Sequence, residues 1–180
     1  MDEVNSYQMN CNNFSEALVF LNCSSTRAAV FANQLEGYYD LWALRSNELC
    51  PNDVWQEVLD YAHTHKISDE EAFTQTFAKR VLNFENYKDP IEVRSAFGGL
   101  GIYKMQFILG NVNPYLGSKI KVLRNDDGQL QILRTQICEH VHFHDGIRSQ
   151  LGTLYILPTL INGVVSQVSY NPSFFRTLIF

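Results

Sequence analysis

The sequence has no C-x-x-C pair, no run of lysine or arginine, and no apolar stretch of membrane-spanning length. Its four cysteines, Cys11, Cys23, Cys50 and Cys138, are scattered. That spacing fits reduced thiols better than a disulfide framework or a zinc knot. A sequence-independent grip on nucleic acid needs a basic footprint. This chain carries a formal charge of −5, so nucleic acid is not an expected partner. A spanning helix needs about 18 or more consecutive apolar residues, and none is present. The opening MDEVNSYQMN is acidic and polar and does not read as a signal peptide, so a cytoplasmic location is expected. Internal repeats and low-complexity tracts are also missing.

What remains is an ordinary globular composition. Apolar residues make up 46% of the 180 residues and charged residues 18%, enough for one domain with a real core. Aromatics reach 13%, and such rings fill cores or line sites for flat ligands and sugar faces.

The patterning is mixed. Ser15 reads as the cap of a short helix over Glu16–Leu21. Ala28–Ala32 reads as a buried strand, Asn33–Gly37 as a turn, and Tyr38–Arg45 as a second strand. Asn52 or Asp53 can cap a helix over Val54–His63. Ser68 to Glu71 is a capping box that opens a helix over Glu70–Leu82. Ile91–Val93 reads as a strand, and Asp127-Gly128 marks a hairpin between Lys119–Leu123 and Leu130–Arg134. Asp126 and Asp127 there read as turn residues before metal ligands. The expectation is an α/β fold, a mixed β-sheet flanked by the Val54–Leu82 helices.

Two stretches carry candidate chemistry. The first, Ile137–Pro158, puts His140, His142 and His144 within five positions, with Glu139 before them and Asp145 after. A helix-like run with Arg148 follows, then Gly152 and an apolar strand Leu154–Leu157 closed by Pro158. Titratable groups between a strand and a helix start suit bases and metal ligands, though a His-rich loop without chemistry fits as well. The second stretch, Ser95 to Tyr103, holds Gly98, Gly99 and Gly101. Bunched glycines let backbone approach a ligand, or form a tight bulge. No helix start follows them, which argues against a phosphate cradle.

The segments FANQLEGYYDLWALR, PNDVWQEV, VRSAFGGLGIYK and ICEHVHFHDGIRSQLGTLYILPTLIN, in that order, resemble glycosyltransferases of the A-type fold. The likeness is nearest to a branch of sugar-transfer domains in microbial and viral surface-glycan pathways. It implies a metal-dependent transfer of sugar from a nucleotide-diphosphate donor to a hydroxyl acceptor. The family's acceptor-side landmark falls on Glu139-His140, Phe143, Arg148, Gly152 and Pro158. The resemblance therefore implies Glu139 as catalytic base with His140 beside it, a His where the family has a second acid. Asp2, in MDEVNS, resembles the tail of the family's D-x-D motif. With His142 or His144 it is the expected ligand set for Mn2+ or Mg2+. Ser95, Phe97, Gly98, Gly99, Trp42, Arg45 and Arg148 are the expected substrate contacts. The single domain, residues 1–180, is expected to be incomplete at its N-terminus, with an upstream half or a partner chain supplying nucleotide binding. The alternative is a non-catalytic carbohydrate- or partner-binding module derived from the acceptor half. A His-ligated metal hydrolase is weaker, because H-x-H-x-H has no second ligand cluster.

Overall fold

A computed structural model of the chain describes residues 10–124, 127–164 and 178–179. The elements run α1 (Cys11–Asn22), β1 (Arg27–Leu35), α2 (Val54–His65), α3 (Asp69–Gln75), a 3-10 turn (Phe77–Lys79), β2 (Ile91–Val93) and β3 (Gly101–Tyr103). Then come α4 (Met105–Leu109), β4 (Ser118–Arg124), β5 (Leu130–Gln136), α5 (Glu139–Ser149), β6 (Thr153–Val164) and β7 (Leu178–Ile179). The protein is mixed α/β.

The main sheet has the order β2-β6-β1-β3. Its two central strands, β1 and β6, are parallel, and both edges are antiparallel. β1 is apolar from Ala28 to Ala32 and buried through Gln34 because both its faces are covered, as parallel strands require. One face packs Ala29, Phe31, Leu154 and Ile156 against α2, α3 and α5, while Ala17 and Leu21 of α1 meet Val30, Ala32 and Leu160 on the other. A second, antiparallel sheet has the order β4-β5-β7.

Several local expectations shift. The first helix starts at Cys11, capped by the Asn10 side chain, and Ser15 instead bonds back to the Cys11 carbonyl. β1 runs on to Leu35, so the turn falls on Glu36 and Gly37, both with positive φ. Tyr38–Arg45 is a buried turn and not a strand. The Asp40 carboxylate accepts the Ala43 N–H, which folds the segment locally. The helix expected to reach Leu82 breaks at Thr76, whose hydroxyl bonds the Ala72 carbonyl. Past the break, Phe73, Phe77 and Trp55 stack with ring centroids 4.9 to 5.6 Å apart. Burial of these rings holds the 3-10 turn against α2.

Pro158 does not close its strand. β6 continues through it to Val164, and the register against β1 jumps between Phe31↔Ile156 and Asn33↔Ile161. The bulge absorbs a residue with no N–H to give, and the Pro158 carbonyl accepts from the Asn33 amide. The hairpin at Asp127-Gly128 forms as read, with Gly128 at φ 80°. Asn125 and Asp126 lie outside the described residues.

Candidate functional site

The histidine run is wholly helical. α5 begins at Glu139, so His140, His142 and His144 are turns of one helix and not alternate positions of a strand. At 100° per residue, His140, His144 and Ile147 share the buried face, and His142 points well away from it. A strand would set His142 and His144 on one face, two residues apart, but the helix sends them to different sides. The helix ends on Leu151 in the left-handed region, with the Gly152 N–H returning to the Ile147 carbonyl. Gly152 follows because a Cβ there would sit 2.8 Å from Ala28 and Ile147 side-chain atoms.

His144 is fully buried. Its Nδ1 lies 2.8 Å from the Ser95 hydroxyl and its Nε2 2.9 Å from the Tyr103 hydroxyl. A neutral imidazole has one donor and one acceptor nitrogen, and two hydroxyls satisfy either tautomer. Burial, with His140 nearby, pulls His144 down to about 3. Burial also pushes the Tyr103 phenol well up. This Ser–His–Tyr relay is thus neutral at ordinary pH, and neither ring nitrogen is left for a metal.

One turn earlier the same helix face meets the surface. The His140 ring stacks on Phe97 at 4.2 Å and 20°. The exposed Tyr115 hydroxyl lies 3.0 Å from His140 Nε2 and 3.4 Å from Glu139 Oε1. Glu139 is half-exposed in the first turn of α5, where the helix dipole favours a carboxylate. Burial and the Glu139 charge push the Tyr115 phenol well up, so it stays a donor. Burial, with Asp40 nearby, pushes the Cys138 thiol up to about 12, so Cys138 is no nucleophile.

The glycine loop lies alongside. A Cβ on Gly98 would fall 2.2 Å from the Ala32 carbonyl, and one on Gly99 would fall 2.7 Å from the Asn162 amide. Both residues have positive φ. Gln34 and Asn162 donate from beneath to the Gly98 carbonyl. The glycines thus serve first the loop's own close seating on β1 and β6. That seating aims Phe97 at His140. Tyr38, whose hydroxyl accepts the Phe97 N–H at 3.0 Å, holds the loop from the other side. Beyond Tyr38 a cleft of about 370 Å³ opens between Tyr38, Tyr39 and Leu41 and the Phe77–Leu82 segment.

The expected site residues therefore divide. Glu139, His140, Phe97, Gly98 and Gly99 come together, with Ser95 buried directly behind them. Arg45 does not join them. It is buried in a pair with Asp53, the cap of α2, and bonds the Trp42 and Leu44 carbonyls. Trp42 packs against the main core. Arg148 is exposed and pairs with Asp145 near the far end of α5, nine residues and about 13 Å along the axis from Glu139. Asp2 lies outside the described residues. Among the described residues no three His, Cys, Asp or Glu side chains stand close enough to hold an ion. Of the expected ligand set, only His142 and His144 fall among the described residues, and they lie on different sides of α5.

Sequence reasoning missed Tyr103 and Tyr115, and the two asparagines that clamp α5. Asn111 and Asn113 donate at 2.9 Å to the Phe143 and His142 carbonyls. Gly146 admits them, since a Cβ there would fall 1.9 Å from Asn111 Oδ1. The N-x-N spacing was the only sequence signal for that clamp. Comparison of the chain with protein-family models, curated proteins and solved structures returned no match.

Proposed function

We propose that this chain is the acceptor-side portion of a glycosyltransferase of the A-type fold, with Glu139 as the base that activates an acceptor hydroxyl. The carrying observation is the rim of α5. There a half-exposed carboxylate, a phenol donor and the stacked Phe97–His140 pair converge beside the seated glycine loop. Aromatic faces next to a carboxylate suit a sugar, whose C–H face stacks on rings while its hydroxyls meet polar groups.

In the proposed reaction Glu139 takes the proton of the acceptor hydroxyl. The acceptor oxygen bonds to the donor's anomeric carbon as the bond to the diphosphate breaks, and the diphosphate leaves with the electron pair. Tyr115 orients the carboxylate, and His140 orients Tyr115. The cleft beyond Tyr38 and Tyr39 gives room for further units of a glycan acceptor. Mn2+ or Mg2+ remains the expected partner of the donor diphosphate, and no step here is routed through it. The second reading, a carbohydrate-binding module without catalysis, draws on the dispersal of His142 and His144 to different sides of α5.

Turnover of nucleotide-diphosphate sugars by the chain with manganese present tests the proposal. Glu139→Gln is expected to keep donor binding and slow transfer by about 100-fold, the scale of a lost general base. Transfer at the unmodified rate in that variant places the base elsewhere. Glycan binding without any nucleotide binding favours the module.

A further inference from the structure

We propose that the β4–β5 hairpin is a docking surface for an anionic lipid bilayer. Directly paired residues in an antiparallel ribbon point to the same face. The register Ile120↔Arg134, Val122↔Ile132 and Arg124↔Leu130 therefore builds one face from four apolar side chains with an arginine at each diagonal corner. Ile120, Val122, Leu130 and Ile132 are 56–69% exposed, and both arginines are exposed as well. Contiguous exposed apolar side chains mark an interaction surface. The segment leading into the hairpin also exposes Met105, Leu109, Val112 and Leu116.

Charge selects the occupant. The charged side chains of this face are Arg124 and Arg134, two cations within a chain of net charge −5. An apolar face bearing two arginines, on an otherwise acidic chain, fits an anionic apolar partner. A protein partner is disfavoured by composition. Protein interfaces gather aromatic anchors, and this hairpin has no aromatic residue. Aliphatic tips between arginines suit a bilayer, where the tips enter the acyl boundary and the long cationic side chains reach back to headgroups. The Ile137 N–H closes the base of the hairpin on the Gly117 carbonyl. Tyr115 and Glu139 each lie two residues from that closure, so a docked hairpin holds the rim cluster near the bilayer.

Co-sedimentation of the full chain with vesicles tests this. Phosphatidylcholine vesicles are compared with phosphatidylcholine vesicles doped with phosphatidylglycerol. Binding is expected only to the doped vesicles and should weaken with salt. Arg124→Gln with Arg134→Gln should weaken it about fivefold per arginine. Val122→Ser with Ile132→Ser should weaken it at least as much while leaving the circular dichroism spectrum unchanged. Four results overturn the proposal: no binding to doped vesicles, equal binding to both vesicle types, binding indifferent to both double variants, or self-association that the same variants abolish without any vesicle binding. The assay needs no sugar transfer, so its failure and that of the glycosyltransferase reading are separable.

Discussion

Two neighbourhoods of α5, one turn apart, use the same residue types for different ends. At His144 an imidazole lies between two hydroxyls, fully buried, with both nitrogens occupied. At His140 an imidazole lies between a ring and a phenol, with a half-exposed carboxylate beside it. The inner group holds α5 to the β2–β3 segment and has no capacity left for a ligand. The outer group keeps an exposed phenol and a carboxylate that still offers acceptor sites. A histidine on a helix is thus not informative by its type or its neighbours in sequence. What decides its use is how many of its hydrogen-bonding positions the fold has already filled.

The largest expected effect breaks the inner group. His144→Ala leaves the Ser95 hydroxyl unsatisfied in the core and opens a cavity against Phe31, whose ring centroid lies 5.0 Å from the imidazole. A loss of about 3–4 kcal/mol in unfolding free energy follows from the combined penalties. His140→Ala, where the exposed Tyr115 lets water reach the vacated space, should cost less, about 1–2 kcal/mol, from lost stacking on Phe97 and the bond to Tyr115. Urea denaturation of the two variants measures the contrast. Equal losses would mean that the two sites do not differ in kind.

A pH titration sharpens the contrast. The folded-state value for His144 is about 3, below the roughly 6.5 of an unfolded histidine. Below about pH 6.5 the unfolded chain binds a proton that the folded chain refuses, so this contribution to stability is complete above that pH. It declines as pH falls from about 6.5 toward 3, by at most about 1.4 kcal/mol per pH unit. The measurement is unfolding free energy against pH for the wild type and for His144→Asn, which does not titrate. The wild-type curve should fall more steeply between about pH 6 and pH 4. Parallel curves would show that His144 is not held neutral.

Much of this arrangement was legible in the sequence, but unevenly. The caps at Asp53 and Ser68, the hairpin at Asp127-Gly128 and the buried strand around Ala28–Ala32 all act within a few residues, and short-range chemistry specifies them. Glu139 and His140 on one stretch and Phe97 with the glycine pair on another were singled out separately, and the fold brings His140 and Phe97 into contact. The histidine run misled because its H-x-H-x-H spacing fits a strand face, while the helix is set by packing of Ile147 and by Asn111 and Asn113. Those asparagines lie about thirty residues away in sequence. Tyr103 and Tyr115 reach their histidines across even less predictable routes, from an edge strand and from a connector. Arg45 entered the expected substrate contacts through the family resemblance, whereas the fold buries it against the α2 cap. Its partner Asp53 was read only as a cap, and it is both.

The smallest expected effect is at Tyr115. The residue is 54% exposed, and its hydroxyl makes one bond of ordinary length to His140 and a long one to Glu139. Tyr115→Phe removes only the oxygen. The ring contacts to His140 and Phe143, at 5.2 and 5.9 Å, remain. At an exposed position water replaces the lost partner, so the stability change should be under about 1 kcal/mol. A loss above about 2 kcal/mol would mean that Tyr115 closes a network as tightly as Tyr103 does, since only a buried, unsatisfied group carries that penalty. The rim would then be a second structural clamp, with its hydrogen-bonding positions already spent. A small loss leaves Glu139 and His140 tied to each other by one exchangeable phenol, which is the condition for a ligand hydroxyl to take its place.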